Sequence, residues 1–266
     1  MFIDVGPVAL IHDKFNNIET LKDFNRGVTY SGPMVVIVNS LSASASEFFA
    51  NAIQDYKRGI VIGNETFGKA SSQSILPFNN TYDNKDFIKI TGQKFYRITG
   101  KSHQNTGLIP DVKLPLLFEE FIPKESTYKN VLANDSIVPK LSFKKYNNDF
   151  ASVIVKSQNR VQNSTYYKEI SELNKKLNTF ITAERKPLLL NFSAVFDEVH
   201  RSNGLHEETE KLNAKKFPFT IKNTTSEIEK IKFDSYLQTS NSEKINELQK
   251  NPRVFEAIEI IYDLTH

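Results

Sequence analysis

Ser40–Gln73 reads SLSASASEFFANAIQDYKRGIVIGNETFGKASSQ, and the fold of the chain turns on it. It opens on small hydroxyl and methyl side chains, with Ser44 and Glu47 three residues apart. That spacing predicts a capping box at a helix start, in which the serine side chain accepts a backbone N–H and the glutamate reaches back. Phe48, Phe49, Ile53 and Tyr56 recur at helical spacing. Lys57 and Arg58 then occupy the last turn, and Gly59 is expected to end the helix. Gly59–Gly63 is a short apolar run, as expected of a buried strand. Phe67-Gly68-Lys69 reads as a tight turn, and Ser72–Leu76 as a strand returning from it.

Working outward, Met34–Val38 is a second apolar run and predicts a buried parallel strand, completing a strand–helix–strand unit with a right-handed crossover. Phe2–Ile11 is strand-like, whereas residues 16–32 are polar enough for a connecting loop. Beyond a polar excursion at residues 79–85, Phe87–Thr99 alternates like a long strand. A loop over Gly100–Asn105 and a turn over Gly107–Asp111 lead to a short strand near Val112–Leu114. After Leu117 glycine nearly disappears and Lys/Glu/Asn-rich segments with helical periodicity take over: 147–159, 165–180, 193–200, 242–248 and 253–264. Leu188–Leu190 and Phe217–Ile221 read as strands between them. The expected organisation is an α/β (α+β) core over 1–118 and a mostly helical domain over 119–266.

Composition narrows the function. With 34 basic and 31 acidic side chains among 266 residues the net charge is +3, and no basic stripe marks a nucleic-acid partner. Cysteine is absent, which excludes disulfides, a cysteine nucleophile and thiolate metal sites. No apolar run approaches the roughly 20 residues that span a bilayer, and the first residues lack the basic-then-apolar order of a signal peptide.

Ser44 has two readings. As a capping residue it only satisfies a backbone N–H. As the serine at a helix start between two buried strands it sits where open α/β sheets bind ligands, and the Ala45 N–H is the nearest donor for a developing oxyanion. A serine hydroxyl needs a base. The five histidines, His12, His103, His200, His206 and His266, all fall outside the stretch, so lysine is the alternative, and Lys69 is the candidate because it follows an apolar strand and a Phe-Gly turn. Lys69 is either a solvated turn residue or, pointing inward, a neutral amine able to take the proton. Ser42 and Ser46 are read as local hydrogen-bonding partners, Asp111 as a turn residue, and Asp55 as structural, because eleven helical residues carry it about 16 Å from Ser44.

SASASE, then Gln54-Asp55, then VIGNETFGK, then Gln73, then QKFYRITGKSHQNTGLIPDV follow one another in an order and spacing that resemble the tail-specific, or C-terminal processing, serine proteases. The resemblance runs from Pro33 to Pro115, and the helical extension is similar in character through His266. It implies a partial protease core of the ClpP/crotonase-like type. It further implies Ser44 as nucleophile, Lys69 as general base and Gln73 as the residue orienting the lysine. The implied substrates are polypeptides with apolar C-termini, an adaptor protein is an implied partner, and no cofactor or metal is required. The implied location is the periplasm or the outer face of the inner membrane. Ala70 stands where the family commonly has glycine, which demands φ < 0 there. The family also places a peptide-binding PDZ module and a second oxyanion donor upstream of the serine. Neither precedes Met1, so the isolated chain is expected to be weakly active or inactive, with Phe2–Ile11 and Met34–Val38 as unpaired sheet edges. The alternatives are a non-catalytic remnant that binds partners through its helical module and an acyl-CoA enzyme; the serine and lysine elements disfavour the second.

Overall fold

A computed structural model describes residues 2–78, 86–184 and 187–266; the polar excursion expected at 79–85 lies outside them. The architecture is α+β. The backbone clusters into two units, one of residues 1–113 and 121–154, the other of residues 114–120 and 155–264. Residues 121–154, assigned by sequence to the second domain, thus pack with the first unit.

The first unit holds two sheets. Strands β1 (Gly6–Asp13), β2 (Ile18–Asp23), β5 (Ser71–Pro77) and β6 (Phe87–Tyr96) form an antiparallel sheet of order β2-β1-β6-β5. Strands β3 (Val35–Val38), β4 (Ile60–Gly63) and β7 (Val112–Lys113) form a parallel sheet of order β3-β4-β7, with helix α1 (Ala45–Asp55) connecting β3 to β4. The strand–helix–strand unit read from the two apolar runs is present. β4 is buried at every residue because it lies between two strands, and Ile60, Val61 and Ile62 each gain about 1.5–3 kcal/mol from burial. β3 departs from the fully buried expectation. It is the outer strand, and Ile37 is exposed.

Three other expectations are corrected. Phe2–Ile11 is not an unpaired edge, since β1 is hydrogen-bonded to β2 on one side and β6 on the other. Residues 16–32 are not all loop. Asp13 accepts the Phe15 and Asn17 N–H groups, Asn16 adopts φ 65, and the chain reverses into β2 as a hairpin. Finally, Gly59 does not terminate α1. Lys57 takes the left-handed position at φ 51, the Arg58 N–H reaches the Ile53 carbonyl at 2.9 Å and the Lys57 N–H reaches Gln54 at 3.0 Å, a Schellman ending without glycine. Gly59 serves close approach instead: a Cβ there would lie 2.6 Å from the Met34 carbonyl oxygen.

The buried face of α1 carries Ala50 and Ile53 together with the polar Glu47, Asn51 and Asp55. Ala50 packs with Val38, Val61 and Leu108. At the other end Arg97 of the segment after β6 grips both Asp55 oxygens and the Gln54 amide, giving Asp55 the structural role read from the sequence. Asp111 does more than make a turn. Its carboxylate accepts the Val61 N–H at 2.8 Å and the Gln54 amide at 2.9 Å, and burial pushes its pKa up.

The second unit is helical among its described residues: α2 (Ala151–Asn163), α3 (Thr165–Thr182), α4 (Phe192–His200), α5 (Asn203–Asn213), α6 (Thr225–Ile231), α7 (Ser235–Gln249) and α8 (Pro252–Thr265). Ser164, Asn191, Thr224, Asp234 and Asn251 cap five of these helices through their side chains. The strands expected at Leu188–Leu190 and Phe217–Ile221 are absent. Leu189 and Leu190 are exposed, with no sheet among the described residues of this unit to receive them. Its interior holds an ion cluster in which Arg160 binds Glu256 and Asp263, and Ser157 donates to Glu256 at 2.6 Å. No helix is long and apolar enough to cross a membrane among the described residues.

Candidate active site

Ser44 caps α1 with φ 57 and ψ −115, a backbone conformation that L-residues rarely adopt. Strain of this kind persists only where neighbours hold it, and it collects at functional turns. The serine hydroxyl faces the Glu47 N–H in the manner of a capping box. That N–H is instead bonded at 2.9 Å to the Ser44 carbonyl, and no side-chain cap hydrogen bond forms. The other half of the box is present: the Ser44 N–H donates to Glu47 Oε2 at 2.8 Å. For the Ala45 N–H there is no acceptor among the described residues, and Ala45 is exposed. An unoccupied donor at the positive end of a helix, beside the serine, suits an oxyanion. Ser42 and Ser46 bond locally, as expected, to Asn39 and to the Ala43 carbonyl.

Glu47 is where the site is assembled. Fully buried, it receives four donors: Ser44 N–H and Lys69 N–H on Oε2, at 2.8 and 3.0 Å, and Thr66 Oγ1 and Gly68 N–H on Oε1, at 2.5 and 2.8 Å. Burial raises its pKa, and the donors oppose that rise. The nucleophile candidate and the base candidate are therefore fixed at the backbone by one carboxylate oxygen. A second link, Phe67 N–H to the Ser42 carbonyl at 2.9 Å, ties the serine loop to the lysine turn.

The turn itself demands glycine. Gly68 has φ +91, and a Cβ there would meet the Gly107 nitrogen at 2.9 Å and Asn105 backbone at 3.0 Å. Gly68→Ala is expected to lower unfolding free energy by roughly 1–3 kcal/mol, read from the urea midpoint. Ala70 has no positive φ and is completely buried, so the alanine fits where the family resemblance calls for glycine.

Lys69 is half-buried, two residues before the first residue of β5. Gln73 lies on exposed β5 beside a bulge, and its amide donates to Thr91 Oγ1 on β6 at 3.3 Å. The structure thus brings Ser44, Ala45 and Lys69 together at the backbone, while the Gln73 amide is engaged with the neighbouring strand.

Sequence reading assigned no role to His103, which packs behind the site. It is buried, with Nδ1 3.2 Å from the Asn51 amide nitrogen, Nε2 3.7 Å from Glu47 Oε2, and its ring against Phe48. Burial brings its pKa down to about 4, against the Lys69 backbone, which favours the charged form. A neutral folded histidine binds fewer protons than an unfolded one, so the stability it contributes is lost as pH falls from about 6.5 to about 4. His103→Phe should flatten the melting temperature across that window; an unchanged pH slope would contradict the assignment.

Residues 1–114 match Peptidase family S41. Over 152 residues the chain is 38% identical to the tail-specific protease of Haemophilus influenzae, covering 56% of this chain and 22% of that protein. Over 212 residues it is 29% identical to the carboxy-terminal processing protease CtpA of Bacillus subtilis, covering 71% of this chain and 44% of that protein. A solved structure, the photosystem II D1 C-terminal processing protease, is 32% identical over 42% of this chain and 28% of its own, with a TM-score of 0.37. The chain spans less than half the length of both curated relatives. Over its first 114 residues, then, the chain is similar to Peptidase family S41, and these two curated relatives are tail-specific and carboxy-terminal processing proteases.

Proposed function

We propose that the chain carries the catalytic serine and lysine of a serine peptidase that cleaves polypeptides near apolar C-termini. In this reading it comprises a ClpP/crotonase-like core segment over 1–118, with which residues 121–154 pack, and a helical C-terminal domain over the rest of 119–266. The observation that carries it is the shared Glu47 oxygen, which holds the Ser44 and Lys69 backbones within hydrogen-bonding distance of one point.

Ser44 Oγ attacks the scissile carbonyl while the Lys69 amine takes its proton. The oxyanion forms against the Ala45 N–H. Lys69 returns the proton to the leaving amine, and water then hydrolyses the acyl-enzyme by the same route in reverse. Gln73 orients the amine, for which its side chain must exchange Thr91 for Lys69. An apolar cavity of about 340 Å³ lined by Phe2, Ile3, Val8, Phe48 and Ala52 opens beside α1 and supports an apolar substrate side chain. Phe48 lies one helical turn from Ser44, on the same face. The resemblance adds an adaptor protein as a partner and the periplasm, or the outer face of the inner membrane, as location. The chain alone is expected to cleave weakly or not at all. Joined to the peptide-binding and oxyanion segments that the resemblance places upstream, it should cut a peptide ending in apolar residues into two fragments by mass spectrometry, and Ser44→Ala in that form should give none. Equal cleavage by Ser44→Ala would refute the proposal.

A further inference from the structure

The Lys69 turn is held from a side that the proposed mechanism does not use. Gln104 is completely buried in the loop before β7, and each of its polar groups is engaged. Its Oε1 accepts the Ala70 N–H at 2.8 Å; its Nε2 donates to Glu125 Oε1 at 3.2 Å and to Asn105 Oδ1 at 3.3 Å. Its backbone N–H goes to Ser102 Oγ at 3.1 Å, and its carbonyl accepts the Asn134 amide at 2.7 Å. Glu125 opens a single 3-10 turn in the 121–154 segment, and its own N–H donates to the Phe67 carbonyl at 3.0 Å. The next loop residue, Asn105, donates its N–H to the Gly68 carbonyl at 2.8 Å.

A carboxylate only accepts hydrogen bonds, so Glu125 fixes which end of the Gln104 amide faces it. The NH₂ group must turn to Glu125, leaving the carbonyl oxygen aimed at the Ala70 N–H. The backbone on both sides of Lys69 is then bound: Phe67 and Gly68 before it, Ala70 after it.

We propose that Gln104, oriented by Glu125, is a positioning residue for Lys69, so that residues 121–134 are part of the proposed active centre. The inference rests on the Ser44–Lys69 reading. It makes the polarity of the 104/125 pair, rather than its bulk, the quantity that matters. Gln104→Glu keeps shape and an oxygen toward Ala70 but sets a carboxylate against Glu125. Adding Glu125→Gln restores a donor–acceptor pair with the ends exchanged, still leaving an acceptor for Ala70.

The test is steady-state cleavage of a fluorogenic peptide with an apolar C-terminus by the protein carrying this chain, alongside its thermal midpoint. Gln104→Glu is expected to lower kcat by about 10–10²-fold with KM nearly unchanged, because a displaced base acts on the chemical step. The double variant should recover to within about threefold of wild type. Glu125→Ala, at a half-exposed position, provides a variant that retains the fold and should also lose kcat. A merely structural role would lower the midpoint without a selective loss of kcat, or leave the double variant unrecovered; either result overturns the inference. Ser44→Ala separates the two levels. Turnover surviving in Ser44→Ala removes the catalytic reading and this inference with it, whereas a dead Ser44→Ala beside a fully active Gln104→Glu removes the inference alone.

Discussion

Replacing Lys69 by alanine is expected to reduce peptide turnover by on the order of 10⁴-fold or more, with the fold intact. Members of a nucleophile–base pair act as a unit, so loss of the base forfeits most of what the nucleophile contributes. The Lys69 backbone is anchored through its N–H to Glu47, and its side chain is half-buried, so truncation removes little packing. Lys69→Arg sharpens the test. A guanidinium keeps the positive charge but cannot give up its proton, so it fails as a base while serving as an electrostatic partner. Both variants should fall to the same low kcat; substantial activity in Lys69→Arg would mean that charge, not proton transfer, is what position 69 supplies.

Glu47→Ala is expected to cost about 3–5 kcal/mol of unfolding free energy, the largest effect of any single change at the site. The carboxylate is fully buried, and its removal strands the Ser44, Gly68 and Lys69 N–H groups and the Thr66 hydroxyl. Glu47→Gln is nearly isosteric but presents an NH₂ where one carboxylate oxygen stood. All four partners are donors, so one pair meets a donor, and about 2–3 kcal/mol should be lost. Urea midpoints measure both. A change below about 0.5 kcal/mol in Glu47→Ala would mean that the serine loop and the lysine turn do not depend on this carboxylate.

The local signals in Ser40–Gln73 carry a good deal of the fold. Ser44 and Glu47 mark the start of α1, and the Val35–Val38 and Ile60–Gly63 runs become neighbouring parallel strands because their apolar length and the helix between them leave little choice. What local pattern does not carry is pairing at a distance. Glu47 reads as half of a capping box, whereas three of its four donors come from Thr66, Gly68 and Lys69, brought to it by the folding of β4 back past α1. His103 and Gln104 stand in a polar loop whose meaning appears only when that loop lies against the lysine turn. The β1–β2 hairpin was legible in principle from Asp13 and the Asn16-Asn17 pair, which supply an Asx-type turn and a left-handed position. Helices α5 and α6 escape the periodicity reading because their apolar residues are sparse, with Leu212 the sole buried residue of α5 and none in α6.

Covalent labelling addresses the central claim most directly. Treated with a fluorophosphonate and mapped by peptide mass spectrometry, the protein should carry the adduct on Ser44, with Ser42 and Ser46 unmodified and the reaction strongly slowed in Lys69→Ala. An adduct on another serine, or equal labelling of Ser44 with and without Lys69, would contradict the account.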